Sequence, residues 1–127
     1  MSKPKKIPHT ILPHWLIKEI ISRDFTKNEL KILLLTIRLT FGCHEEEAIV
    51  RKVNFTVMGI PQTDVGRIIL RLREKNILLA RSAEDKHAAI SINADTKKWL
   101  IKENARWNEK NYKRLIHKQL WDDNQDE

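Results

Sequence analysis

The segment that begins at Gly59 constrains the fold most, because a turn there precedes a strongly amphipathic stretch. One brief helix that closes at this glycine is indicated by the apolar residues Val53, Phe55, Val57 and Met58. The apolar residues after the turn fall on one arc of a helix, at Val65, Ile68, Ile69 and Leu72. A short helix, a glycine turn and an amphipathic helix form the helix-turn-helix pattern.

The outward face of this second helix suits contact with duplex DNA. Glutamine and arginine can make paired hydrogen bonds to adenine and guanine edges, and the first helical turn directs N–H groups at phosphates. Glycine on this face would let the backbone approach the groove closely. We therefore predict DNA contacts from Gln62, Thr63, Gly66, Arg67 and Arg71. The alternative is an ordinary solvated face.

Leu70 is apolar, and we expect it either to touch a thymine methyl group or to be covered by the carboxy-terminal helix.

A β-hairpin is predicted directly after the amphipathic helix. Asn76 ends the helix, Ile77–Ala80 can form a strand, Ser82–His87 is a polar turn, and residues 88–92 alternate as a second strand. A hairpin at this place is a wing, so the predicted fold is mainly α with a small β-hairpin, a winged helix-turn-helix. Further DNA contacts are predicted near the tip of the wing, from Arg81, Lys86 and His87.

Upstream, two helices and a short strand are predicted. Pro13 fits the start of a short helix that ends near Arg23. Thr26 and Glu29 have capping-box spacing, and the apolar residues that follow lie on several faces of a helix that Gly42 ends, which is typical of a central core helix. One face of this helix carries a charged stripe of Lys27, Lys31 and Arg38. The stripe is either an edge exposed to solvent or a contact to phosphates. Ala48–Val50 is a short run that can form a strand.

These segments resemble those of a known protein family. The most specific part of the resemblance is the Arg-x-Thr-aromatic-Gly run from Arg38 to Gly42. With the runs Phe25–Lys31 and Asn76–Leu78, the stretch from Ile7 to about Ala80 resembles the amino-terminal, origin-binding domain of the bacteriophage replication protein O family. The resemblance implies binding of repeated origin sequences as a dimer and recruitment of a helicase loader through a separate carboxy-terminal region. His44 and the acidic run after it depart from the basic residues usual there, and little chain follows the wing to recruit a loader.

The carboxy-terminal part contains neither proline nor glycine between Thr96 and Trp121, which predicts one long helix with Asp95 as its cap. Basic residues dominate it, so three interpretations stay open: packing on the domain, tracking of phosphates, and binding of a second subunit or another protein. The predicted organisation is a basic arm at 1–10, a DNA-binding domain at 11–94, a basic helix at 95–121 and an acidic tail at 122–127. The arm is either a flexible tail or a contact to DNA.

Composition narrows the function classes. Four of the 17 acidic residues follow Trp121, so the rest of the chain sets 24 basic residues against 13 acidic ones, which favours a polyanionic partner. With 41% apolar residues in 127, one core is expected. No apolar run approaches membrane-spanning length, and we expect the cytoplasm of a bacterial host. Cys43 is expected to be a small buried or half-buried side chain, and the five histidines lack metal-binding spacing.

The sequence thus predicts a sequence-specific double-stranded DNA-binding protein without a cofactor or a metal, and not an enzyme, since no catalytic constellation stands at usable spacing. The predicted role is phage replication initiation or its regulation. Two alternatives stay open: a transcriptional regulator of the same fold, and a winged-helix module that binds an acidic protein partner. A homodimer and a partner among replication proteins also stay open.

Overall fold

The computed structural model describes the backbone of residues 7–125 and the side chains of residues 7–118. Its elements, in chain order, are α1 (His14–Ser22), α2 (Lys27–Thr40), β1 (Ala48–Val50), a 3₁₀ helix (Lys52–Met58), α3 (Gln62–Glu74), β2 (Leu78–Ser82), β3 (Ala88–Ile92) and α4 (Glu109–Gln125). The expected combination of mainly helical structure with a small sheet is confirmed. Most of the predicted arm, residues 1–6, lies outside the described residues, as does the end of the acidic tail.

Helix α2 is the central element, and its start is the predicted capping box. The Thr26 hydroxyl accepts from the Glu29 amide at 3.2 Å, while the Glu29 carboxylate accepts from the Thr26 amide at 2.8 Å. These bonds satisfy two amides that a helix start otherwise leaves without partners. The helix buries Ile32, Leu33 and Ile37 and ends at Thr40, slightly before the expected end at Gly42.

We expect Thr26→Ala to lower the free energy of unfolding by about 1 kcal/mol, because an amide at the start of α2 loses its acceptor. Urea denaturation measures this difference. Thr63→Ala is the matched control, since Thr63 is exposed on the first turn of α3 and a surface change of this kind costs less than about 0.5 kcal/mol. Equal losses for the two variants would contradict the role of the capping box.

The sheet has the order β1-β3-β2, and both strand pairs are antiparallel. Its inner face packs against α2 and α3 and buries Val50, Leu78 and Ile90. Asn76 takes the left-handed conformation, with φ of 61°, which ends α3 and turns the chain into β2 as the sequence indicated. The hairpin β2–β3 and the strand β1 therefore lie where the sequence predicted them.

The carboxy-terminal segment differs from the prediction of one helix over residues 95–121. Only Thr96–Lys98 forms a 3₁₀ turn, and Asp95 makes no side-chain cap. The chain is not helical again until Glu109, where α4 begins with the Asn108 side chain accepting from the Asn111 amide at 2.9 Å. Helix α4 then runs to Gln125, so part of the predicted acidic tail is helical.

Contacts with the domain explain why residues 99–108 are not helical. The Leu100 amide donates to the Lys75 carbonyl at 2.8 Å, and the Asn104 amide donates to the Ser22 carbonyl at 2.7 Å. Between these points Arg23 and Glu103 form a β-bridge. A helix would direct these backbone groups to itself, so tertiary pairing overrides the local preference that the missing proline and glycine suggested.

Helix α4 packs on α1 through an ion pair between Glu109 and Lys18. The hydrogen bond from Lys18 holds the pKa of Glu109 below its ordinary value, and the same bond raises the pKa of Lys18. Ile17 of α1 and Ile116 of α4 line one recess, and both stay partly exposed. The pair and the recess place α4 beside α1.

We expect acid to weaken the docking of α4. Because the pKa of Glu109 is lowered on folding, its contribution is present above the unfolded-state value of about 4.3 and is lost as the pH falls through the lower folded-state value. Methyl NMR shifts of Ile17 and Ile116 should therefore change in an acid titration, with a midpoint below about 4.3. Glu109→Gln should abolish this transition; an unchanged transition in that variant would assign it to another group.

Candidate nucleic-acid interface

Helix α3 divides into the two faces that the sequence indicated. Val65, Ile68 and Leu72 are buried and Ile69 is partly buried, which confirms the predicted inner arc. On the opposite face the side chains of Gln62, Thr63 and Arg67 are all exposed at the surface. The helix begins at Gln62. Its first-turn amides therefore point out of the amino-terminal end of α3, where Gln62 and Thr63 lie.

Leu70 stays 51% exposed on this face. Of the two expectations for this residue, covering by the carboxy-terminal helix is wrong, because α4 packs on α1 through Lys18 and Glu109. Leu70 is consequently accessible on the outward face of α3.

Both predicted contact arginines of α3 face carboxylates. Arg67 donates from Nη2 to Asp64 Oδ1 at 3.2 Å, and Nη1 of Arg71 lies 3.9 Å from Glu29 Oε2. Asp64, Arg67 and Arg71 line a polar recess of about 230 Å³ with the start of α2. The carboxylates restrict where the guanidinium groups can point, and the side chain of Arg67 is still 70% exposed.

A lysine that the sequence analysis did not assign covers Gly66. A β-carbon at Gly66 would lie 3.4 Å from both Cδ and Nζ of Lys52, so the lysine side chain runs across this glycine. The Lys52 stem therefore lies against Gly66. The consequence is an added positive charge beside the outward face of α3. That Gly66 lets the helix backbone approach a DNA groove closely stays a prediction.

The charged stripe of α2 does not form one cluster with α3. Lys27 lies at the start of the helix, whose neighbouring residues line the recess with Arg67. Arg38 is eleven residues further on, roughly 16 Å along the axis. There its guanidinium and Cδ approach Gly42, and Nη1 donates to Cys43 Sγ at 3.4 Å. Lys27 is exposed at the start of α2, Lys31 is half-buried, and Arg38 is exposed near the other end of the helix.

Two of the three predicted contact residues on the hairpin, Arg81 and His87, have hydrogen-bonding partners within the protein. Arg81 donates from Nη2 and Nε to the Glu47 carboxylate at 2.8 and 3.0 Å, and this hydrogen bonding lowers the pKa of Glu47. His87 Nδ1 lies 2.9 Å from the Glu84 carbonyl oxygen. Lys86 is exposed in the turn with φ of 63°. Of these three residues, Lys86 presents its charge most freely to solvent.

Three functional partners were missed in the sequence for different reasons. Asp64 stands three residues before Arg67, a helical spacing that would have identified it. Glu29 was recognised as a cap but not as the partner of Arg71, because its contact crosses from α2 to α3. Lys52 had no local signal, since its place beside Gly66 depends on how the 3₁₀ helix packs on α3.

Two further observations concern other kinds of site. Within residues 7–125, no three histidine, cysteine or acidic residues are grouped so that they could hold a metal ion. Over the same part of the chain, no helix is long and apolar enough to cross a bilayer.

Cys43 is exposed, so the expectation of a buried or half-buried side chain is wrong. It lies in the 3₁₀ turn after α2, which faces solvent.

The order of these elements defines a class of small helical domain. In this class a polar helix that carries arginines follows a turn and precedes a β-hairpin. The chain belongs to the bacteriophage replication protein O family, whose sequence profile matches residues 8–99. Membership connects it with phage replication and confirms the resemblance found in the sequence. No curated protein and no solved structure matches the chain significantly. The family match ends at Trp99, so α4 lies beyond it.

Proposed function

We propose that this protein binds duplex DNA sequence-specifically through α3 and acts in the initiation of phage replication or in its regulation. The proposal rests on one observation. Gln62, Thr63 and Arg67 are exposed at the start of α3, and the amine of Lys52 flanks this face. Donors of this kind match base edges in a major groove. The proposed protein is a binding protein and not an enzyme, and it works in the host cytoplasm.

The element order supports a winged helix-turn-helix. The 3₁₀ helix Lys52–Met58 serves as the first helix of the motif, and Gly59, with φ of 82°, makes the turn. Helix α3 is then the recognition helix, and the hairpin β2–β3 is the wing. In such a domain the recognition helix enters the major groove with its amino-terminal residues against the bases.

The proposed contacts divide by role. Arg67 and Gln62 read base edges, and Thr63 assists them. Lys52 and Lys27 contact phosphates, which supply affinity without sequence preference. Arg81 contributes only after it leaves Glu47, so the wing is expected to add less than α3. Binding as a homodimer and contact with a replication protein are further parts of the proposal.

Selection of bound sequences from a random duplex pool tests the proposal. We expect one enriched motif, and a repeat or palindrome in it would also report a dimer. Binding to that motif should weaken steeply between about 50 and 200 mM salt, because phosphate contacts release counterions. A pool without enrichment, or affinity that salt does not change, would overturn the proposal and favour a protein partner.

We expect Asp64→Asn to lower sequence discrimination while raising affinity for random duplex. The carboxylate repels phosphates and fixes Arg67 Nη2 at 3.2 Å, so its neutralisation removes both effects. Titration of the selected and random duplexes measures the two affinities. Asp95→Asn is the control, since Asp95 pairs with Lys98, which contacts Asn76 at the opposite end of α3 from Asp64. A variant at Asp64 with unchanged discrimination would show that Arg67 needs no such support.

A further inference from the structure

Gly66 is half-buried although it lies in the middle of an exposed helix face. Its neighbours on the surface of α3, one turn before it and one turn after it, are exposed; they are Gln62, Thr63 and Leu70. The cover over the glycine comes from another element. Apart from the backbone of α3 and the residues on either side, the three heavy atoms nearest to a β-carbon at Gly66 all belong to Lys52.

The Lys52 side chain lies along the place that a larger side chain at residue 66 would occupy. Its Cδ and Nζ are 3.4 Å, and its Cε is 3.5 Å, from the β-carbon position at Gly66. These are ordinary van der Waals distances, so a β-carbon alone fits beside the lysine. The γ- and δ-carbons of a larger side chain would need the space that Lys52 fills. The charge at this point of the outward face of α3 therefore comes from the 3₁₀ helix.

The base of the Lys52 side chain is held by the 3₁₀ helix Lys52–Met58. The Arg51 amide, just before this helix, donates to the Asn54 side chain at 2.7 Å, and Phe55 in the same helix is fully buried. The 3₁₀ helix packs on α3. Because the base is held, the surface on which the flexible stem lies decides where the amine stands.

The helical backbone does not itself require glycine at residue 66. Gly66 has no positive φ, unlike Gly59, and glycine is a poor helix former inside a helix. Two spatial reasons for the glycine remain, a close approach of the backbone to a groove and room for Lys52. The contacts of the Lys52 stem support the second reason.

Lys52 differs from the arginines of α3 in its partners. Arg67 and Arg71 each face a carboxylate, whereas the Lys52 amine forms no salt bridge within residues 7–118. An ammonium group without a carboxylate partner is attracted to the nearest polyanion, and in duplex DNA the nearest anionic groups are the phosphates. The amine beside Gly66 is therefore suited to a phosphate contact.

We propose that Gly66 is a positioning residue for DNA binding, because it leaves the space in which Lys52 lies and so places the Lys52 amine against a phosphate beside the groove that α3 enters. This inference rests on the proposed function. The 3₁₀ helix thereby supplies a side chain to the outward face of α3, and the size of residue 66 sets where its charge stands.

Replacement of Gly66 by leucine tests the proposal. Because leucine displaces Lys52, affinity for the selected and random duplexes should fall alike, at least about threefold, and the salt slope should become shallower by about one. Gly66→Ala should lose less, since a β-carbon fits beside Lys52. Asn111→Leu adds the same side chain at an exposed position of α4 and should bind like the unmodified chain. Urea denaturation verifies that each variant is folded.

A double-mutant cycle with Lys52→Ala separates positioning from a steric block in the groove. If Gly66 acts through Lys52, Gly66→Leu should weaken binding by the chain that has Lys52 and add little further loss in the Lys52→Ala chain. The same loss in both backgrounds would overturn the proposal and favour a close approach of the helix backbone to the groove. Equal losses for Gly66→Ala and Gly66→Leu would do the same.

NMR of the chain without DNA tests the packing separately from DNA binding. We expect nuclear Overhauser effects between the ε-protons of Lys52 and the α-protons of Gly66. Their absence would overturn the proposal even if the chain binds the duplex. Their presence in a chain that binds no duplex would overturn the proposed function, and with it the phosphate contact of Lys52.

Discussion

Replacement of Trp99 by alanine is expected to lower the free energy of unfolding by about 3–5 kcal/mol, a large part of the stability of a domain of this size. The indole is only 5% exposed and packs edge-on against Phe25, with ring centroids 6.2 Å apart. Its Nε1 donates to the Asn93 carbonyl at 2.8 Å, and the Arg23 guanidinium lies 5.4 Å from the ring centroid. Truncation therefore leaves a cavity and a carbonyl without its donor.

Urea denaturation measures the loss at Trp99. Trp107→Ala is the matched control, because Trp107 is only partly buried, beside Tyr112, and the same truncation there should cost much less. Trp99→Phe retains an aromatic ring and should retain part of the stability if the alanine variant does not fold. Equal losses at Trp99 and Trp107 would contradict the assignment of Trp99 to the core.

Arg67→Ala is expected to cost roughly 1–3 kcal/mol on the selected duplex and to relax its sequence preference. Without the Arg67 guanidinium, the base edge that it contacts loses a pair of hydrogen-bond donors. Titration of the selected and random duplexes gives the ratio of affinities, which should fall. Arg73→Ala removes the same charge from the exposed last turn of α3 and should leave the ratio unchanged. Equal losses on both duplexes for Arg67→Ala would show that another face reads the sequence.

Local signals predicted much of the fold. The capping box at Thr26, the apolar arc of α3 and the alternation in β3 each concern residues within a few positions of one another, and the structure has each element at its expected place. Such signals act through the periodicity of one helix or strand. The type and order of these elements were therefore accessible without the structure.

Contacts between distant residues could not be predicted in this way. The pairing of Glu47 with Arg81 spans β3 and depends on the strand order β1-β3-β2. The segment 99–108 lacks helix breakers, yet the β-bridge between Arg23 and Glu103 holds part of it in another conformation. Lys52 reaches α3 only because the 3₁₀ helix packs there. In each case the deciding partner lies far away in sequence.

The exposed start of α3 is the part of the chain proposed to contact duplex DNA. Backbone amide NMR shifts, recorded as the selected duplex is added to the full chain, test this contact. We predict that the largest changes occur at residues 62–71 and at Lys52, and that the amides of α4 change little. The absence of duplex binding, or changes centred on α1 and α4 with α3 unaffected, would contradict the account.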